Sequence, residues 1–290
     1  DLYPRDNKYG HAAVFPMLKR AKIDGKIIPP AAAMMCNFDK PTAEKKSCLL
    51  HDDVVTFFHE FGHVMHGMCS HATYSRFSGT SVERDFVELP SQMLENWVWN
   101  KSILERVSKH VDSGEPLPSD LIEKKLAIKN LNEASFTLRQ IFFGTFDFLL
   151  HSANDEKLLA LESGEGHCLT SLRKGMKKDG LKVDTQDLWH SLTDKITMLK
   201  AQEGTNGAAA FGHILGGYQS QYYGYLWSQV FSCDLFDQFE KGGIMSPELG
   251  MKYRNIILGP GGSRDSDISL REFLGREPNQ EAFLRMNGFV

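Results

Sequence analysis

The sequence predicts a mainly α-helical fold with a small β-sheet set beside one histidine-bearing helix. Three observations predict it. From Asp52 onward apolar residues recur at the helical period, over 52–67, 81–110, 119–152, 184–200 and 218–241. Upstream, Tyr9 to Phe15 and Ala31 to Phe38 read as short strands around a Gly/Pro turn from Asp24-Gly25 to Pro30. The chain of 290 residues is 41% hydrophobic and 24% charged, which suits a globular body able to bury a substantial core.

The strands come first, and an edge strand here can pair with an extended peptide. The first helix follows. His51-Asp52-Asp53 supplies a capping residue and negative charge for its N-terminus, and Gly67 offers a stop. Val54, Val55, Phe57, Phe58, Phe61, Val64 and Met65 make it apolar enough to be largely buried. Within it, Phe58-His59-Glu60-Phe61-Gly62-His63 carries the pattern His-Glu-x-x-His. Helical spacing places His59 and His63 one above the other on one face. Two imidazoles so placed can bind one zinc ion, and Glu60 beside them can take a proton from water there. The competing reading is a helix with two satisfied core histidines.

A catalytic zinc takes three protein ligands. His66 lies two turns beyond His59, about 10 Å along a straight helix, so both cannot reach one ion. The elongated His-x-x-Gly-x-x-His variant is absent, since Gly67 and Ser70 stand out of register. The next segment, Thr80 to Trp97, opens with Thr80 and Glu83 spaced as a capping box, and Pro90 should kink or restart its helix. Glu88, Gln92, Glu95 and Trp99 fall on one stripe among Phe86, Leu89, Met93, Leu94 and Trp97. That stripe is either the wet face of an amphipathic helix or the source of the third ligand.

The run from His59 to Trp99 resembles the active-site segment of the thimet oligopeptidase and neurolysin family of zinc metallopeptidases. Similarity extends from Asp1-Leu2-Tyr3-Pro4-Arg5 to the Phe-Leu-Gly-Arg and Ala-Phe-Leu motifs around Leu274 and Leu284, and Phe77-Ser78-Gly79-Thr80 belongs to it. The resemblance implies a zincin-like catalytic region in which His59, His63 and Glu88 hold one Zn2+ and Glu60 is the catalytic carboxylate. Glu95 would then orient a ligand histidine through its other ring nitrogen. Family members also carry a large helical N-terminal half, the opposite wall of a deep substrate channel. Residues 1–290 are therefore expected to be the catalytic part without that half.

Farther on, glycines at 204, 207, 212, 216 and 217 mark a segment needing unusual backbone angles or mobility. A helix expected after Gly217 would put Tyr218, Tyr222 and Tyr225 on one face. Such stripes are usually core, yet beside a hydrolytic site a phenol suits a developing oxyanion because it stays protonated. The family resemblance continues through Phe-Gly-His, Gly-Gly-Tyr and Gln-Tyr-Tyr-Gly-Tyr. It implies that His213, Tyr218, Tyr222 and Tyr225 contact substrate or tetrahedral intermediate, with Tyr222 and Tyr225 as oxyanion donors. Gly216 and Gly217 would let the loop close over a bound peptide. The glycine- and lysine-rich stretch 154–183 exceeds what the resemblance leads one to expect and reads as an insertion.

Other classes are disfavoured. A net charge of −4 gives no electrostatic case for nucleic acid. No run of about 18 apolar residues exists to span a membrane. The five cysteines, at 36, 48, 69, 168 and 233, form no C-x-x-C pair, which favours a reducing compartment. The expectation is a cytoplasmic, or else mitochondrial, endopeptidase acting on short peptides and monomeric in its full-length form. The rivals are a fragment that holds zinc and binds peptides without turnover, and an aminopeptidase, for which no Gly-x-Met-Glu-Asn signature is present.

Overall fold

The computed structural model describes residues 1–151 and 185–290, so the 154–183 stretch read as an insertion lies outside the described residues. Two hairpins begin the chain. β1 (Ala13–Leu18) pairs antiparallel with β4 (Ala31–Met35), Val14 opposite Met34, with a register shift between Pro16 and Leu18. Pro16 has no N–H to give the ladder, which suits such an irregularity. Between them β2 (Ala21–Ile23) pairs with β3 (Lys26–Ile28). Their turn residues, Asp24 and Gly25, sit at φ 48° and 78°, the type I′ signature whose twist matches a hairpin. The expected strand pair is thus present, but the first strand begins at Ala13 rather than Tyr9, and the expected turn holds a hairpin of its own.

The β1–β4 pair packs against α1 (His51–Met68). The Leu50 N–H donates to Asp53 Oδ2 at 2.9 Å, so Asp53 rather than His51 closes the first turn. Gly67 is helical, and α1 ends one residue later at Met68. The helix is less buried than its apolar content predicts. Glu60, Gly62 and His66 are its buried residues, while Phe61 stays 40% exposed and stacks on Phe57.

The helix expected over 81–110 is broken into pieces. Thr80 and Glu83 form no capping box. Glu83 instead accepts from Ser266 Oγ at 2.5 Å, and α2 (Arg84–Val87) starts after it. Glu88 is the joint, and α3 (Leu89–Glu95) restarts with Pro90 in its first turn, where a missing N–H costs little. A 3₁₀ turn (Asn96–Trp99) leads to α4 (Lys101–Val107), capped by the Asn100 side chain. Trp97 is wedged edge-on against Phe236 and Phe239 and donates to the Ile244 carbonyl at 3.1 Å.

Two compact units result, Asp1–Leu131 with Ser228–Val290, and Asn132–Trp227. The first unit also holds α5 (Ser119–Ala127) and, after the expected 218–241 helix, three C-terminal helices that periodicity did not reveal. α8 (Gly224–Gly242) enters it, followed by α9 (Pro247–Tyr253), α10 (Ser266–Leu274) and α11 (Glu281–Met286). Fully buried Asp234 on α8 takes both amino nitrogens of Arg276, at 2.9 and 2.5 Å, and the Asn279 N–H. Gly261 and Gly262 abut the 77–81 loop so closely that a Cβ on either would collide with the carbonyl oxygens of Phe77 and Ser81.

The second unit contains α6 (Glu133–His151), α7 (Thr185–Leu192) with a π-helical turn at Thr193–Thr197, and 3₁₀ turns at Gly207–Ala210 and Gly212–Leu215. Its core is Phe142, Phe146, Leu149, Leu188, Leu192, Phe211 and Tyr222, with Trp189 edge-on to Phe142 and Phe146. Three helix boundaries differ from expectation. The 119–152 helix is interrupted where Asn132 takes φ 64°, and the helical run from Thr185 ends before Met198 at φ 58°. Left-handed residues end α-helices. The 218–241 helix starts only at Gly224, because residues 218–223 form turns.

Candidate active site

Gly62 decides how the first helix meets its neighbour. A Cβ there would lie 2.5 Å from Ser91 Cα and 2.7 Å from the Pro90 carbonyl oxygen. Only glycine lets α1 and α3 touch backbone to backbone, and that contact brings Glu88 to the two histidines. Gly62 was not among the expected site residues. Its signal was present: a glycine inside a helix costs about 1 kcal/mol against alanine and needs a packing reason.

Glu88 Oε2 lies 3.4 Å from His59 Nε2 and 3.1 Å from His63 Nε2. The ligand atoms of His59, His63 and Glu88 all fall within 4.8 Å of one another, the only such cluster among the described residues. The imidazole rings stand 5.0 Å apart and nearly perpendicular. Glu95 Oε1 accepts from His59 Nδ1 at 2.6 Å, which turns Nε2 toward Glu88. Ser91, buried and not anticipated, donates to the Glu88 carbonyl at 2.8 Å and to its Oε2 at 3.2 Å.

The cluster calls for positive charge. Burial opposes charge on His59, but hydrogen bonds to Glu88 and Glu95 outweigh it and raise the imidazole to about 10. Burial likewise works to raise Glu88, yet the bonds from His59 and His63 hold its carboxyl far below the usual range. Two imidazole nitrogens and a carboxylate oxygen so gathered fit a divalent cation, and two nitrogens with one oxygen suit zinc. Glu60 is 6% exposed, and burial pushes its carboxyl above the ordinary range despite the opposing charges of His59 and His63.

His66 stays outside the cluster, as its position two turns from His59 implies. It is wholly buried, and neither ring nitrogen has a hydrogen-bond partner. Burial, aided by the charge of His63, lowers it to about 3, so it is a neutral packing residue.

The glycine loop and its tyrosines belong to the second unit. His213 stands at the centre of an aromatic group, with ring centroids 5.6 Å from Tyr218, 5.2 Å from Tyr222 and 5.8 Å from Tyr225. Tyr218 stacks on Tyr225 at 5.2 Å. The four residues are therefore gathered, although Tyr218 and Tyr222 lie on turns rather than on the expected helix. Tyr222 is 7% exposed and its hydroxyl donates to Gln140 Oε1 at 3.1 Å. Burial pushes its phenol up to about 12, so it stays protonated. Gly217 sits at φ 96°, a conformation that favours glycine, whereas Gly216 takes an ordinary negative φ.

Mostly helical with small sheets, and with a His-Glu-x-x-His helix held against a glutamate-bearing one, the fold is that of the zincin-like peptidases. The chain belongs to peptidase family M3, whose model matches residues 1–165 and 170–289. Among curated relatives it is 46% identical to thimet-like oligopeptidase of Dictyostelium discoideum, over 99% of this chain and 40% of that protein. It is 41% identical to saccharolysin of Saccharomyces cerevisiae, over 99% of this chain and 38% of that protein. The chain thus spans about two-fifths of the length of these relatives. Among solved structures, PZ peptidase A with an inhibitor superposes with a TM-score of 0.58 at 15% identity, covering 100% of this chain and 42% of that one. No helix among the described residues is long and apolar enough to cross a membrane.

Proposed function

We propose that this chain is the catalytic region of a zinc-dependent endopeptidase that hydrolyses internal bonds of short peptides. The observation that carries the reading is the convergence of His59, His63 and Glu88, with buried Glu60 on the same helix as the histidines. One zinc ion held by those three residues would polarise the scissile carbonyl and bring the pKa of water toward about 7. Glu60, its carboxyl raised by burial, takes the proton of the attacking water and hands it to the leaving amine. Glu95 holds His59 in the tautomer that leaves Nε2 for the metal, and Ser91 steadies the Glu88 carboxylate. Tyr225, with His213, donates to the oxyanion, and Tyr222 would join them by exchanging its bond to Gln140 for one to the oxyanion, while Tyr218, Gly216 and Gly217 contact the peptide. The relatives named oligopeptidases support the substrate class.

A second reading is zinc and peptide binding without turnover. A quenched fluorogenic peptide blocked at both ends tests the two. Cleavage that chelation abolishes and zinc restores supports the endopeptidase, and blocked ends exclude exopeptidase action. Stoichiometric zinc with no cleavage overturns the first reading.

A further inference from the structure

We propose that Asp147 is a positioning residue, a buried carboxylate on α6 that fixes the tyrosine loop in the shape the reaction needs. The inference rests on the endopeptidase reading above. Asp147 is 1% exposed, and its two oxygens are shared between two loop amides: Ser220 N–H donates to Oδ1 and Tyr222 N–H to Oδ2, both at 2.9 Å. Between these contacts the backbone is bent, with Ser220 at φ 59°, a left-handed conformation that a non-glycine residue adopts at a cost. A left-handed residue turns nearby N–H groups to one side, and the concavity so made takes a negative charge. His151 Nδ1, one turn along α6, lies 2.8 Å from Oδ1 and as close to the Asp147 carbonyl oxygen, with which it forms a hydrogen bond. A carboxylate with this many partners is worth more as a fastener than as a surface charge.

The consequence is geometric. Bound at Ser220 and Tyr222, the loop cannot extend into the helix that its tyrosine spacing invites, and α8 starts only at Gly224. Gln140, two turns before Asp147 on the same helix, accepts the Tyr222 hydroxyl. α6 therefore grips Tyr222 at backbone and side chain together, and Tyr218 and Tyr225, stacked on each other, both pack edge-on to His213 within that frame. Asp147 touches no reacting atom and acts through the loop.

Amide hydrogen exchange and steady-state kinetics of the zinc-loaded chain test this, with Asp147→Asn as the variant. The neutral amide has one acceptor oxygen and sets an N–H donor against the second loop amide. Exchange at Ser220 and Tyr222 should rise by about tenfold or more while the α6 amides around Phe142 keep their protection. kcat should fall by about tenfold or more with KM within about threefold, the split expected when transition-state contacts alone are lost. His151→Gln, which leaves both loop bonds in place, should change neither loop exchange nor kcat by more than about twofold. Equal loosening of α6 and loop would mean that Asp147 merely stabilises the unit, and it overturns the proposal. Loop loosening with kcat within about twofold overturns it too. If Asp147→Asn fails to fold, the wild-type chain decides, since Ser220 and Tyr222 amides exchanging as fast as free peptide refute the clamp. If the wild type holds zinc but cleaves nothing, the endopeptidase reading fails separately, and unchanged loop exchange in Asp147→Asn still overturns the clamp.

Discussion

Gly62→Ala adds a single methyl group to α1, yet it should damage the metal site more than many changes of a ligand's neighbour. Ordinary contact for a Cβ begins near 3.4 Å, and here it would meet Ser91 Cα at 2.5 Å, Pro90 O at 2.7 Å and Ser91 N at 2.9 Å. All three are backbone atoms, so no side chain can swing away. α3 must retreat by nearly an ångström, and Glu88, at its first turn, goes with it. The 3.1 Å and 3.4 Å separations from His63 and His59 would open accordingly. Overpacking of this kind costs about 1–3 kcal/mol, and the helix propensity of alanine returns about 1 kcal/mol of it. In chelator the melting temperature should therefore drop only slightly, by about 0–8 °C. Zinc affinity should fall by about tenfold or more, because the gap opens between the ligands themselves. Competition with a chromogenic chelator reads the affinity. Gly67→Ala is the control, on the same helix but with nothing within 4 Å of the added carbon; it should bind zinc as the wild type does and melt no lower. Zinc affinity of Gly62→Ala within about twofold of wild type would refute the argument that backbone contact sets the site.

Glu88→Gln and Glu60→Gln separate ligand from base. The first should lose zinc in chelator competition, and undiminished affinity would point to another ligand. The second should keep its zinc while turnover falls by about 10²–10⁴, and loss of metal there would break the division of roles. Tyr225→Phe should lower kcat by about 10²–10³ with KM little changed; a value within twofold removes that phenol from the chemistry. Buried His66 makes the fold acid-sensitive. Its folded pKa, about 3, lies below the ordinary 6.5, so the unfolded chain takes up the proton first. Its contribution is full above about pH 6.5 and declines as pH falls toward 3, by about 1.4 kcal/mol per pH unit. His66→Met should flatten that decline, and parallel melting-versus-pH curves for the two proteins would show that His66 is not its source.

What was legible in the sequence followed how local each determinant is. His59, Glu60 and His63 depend only on the turn of one helix, and that helix forms within about a residue of its expected bounds. From residue pattern alone Glu88 could not be told from Glu83 and Glu95, which lie on the same segment after α1, and only the family resemblance singled it out. Tertiary partners separate them: Glu83 goes to Ser266, Glu95 to the far nitrogen of His59, and Glu88 to the near nitrogens of both histidines. Gly62, which arranges this, shows its role only once Ser91 lies opposite. Helices α9 to α11 escaped because each is only six to nine residues long, too short for its apolar period to stand out.

The tyrosine segment shows how a wrong element can still lead to a right neighbourhood. Spacing of four and three residues predicted a helical face, whereas residues 218–223 form successive turns, bonded from Gln221 N to Tyr218 O and from Tyr225 N to Tyr222 O. Such turns advance about three residues per revolution, close enough to the helical period for side chains at these positions to stay on one side. The rings of Tyr218, Tyr222 and Tyr225 accordingly meet around His213 at 5.2–5.8 Å without a continuous helix beneath them. Periodicity recorded which side chains gather. The backbone that gathers them is decided by a carboxylate more than seventy residues earlier in the chain.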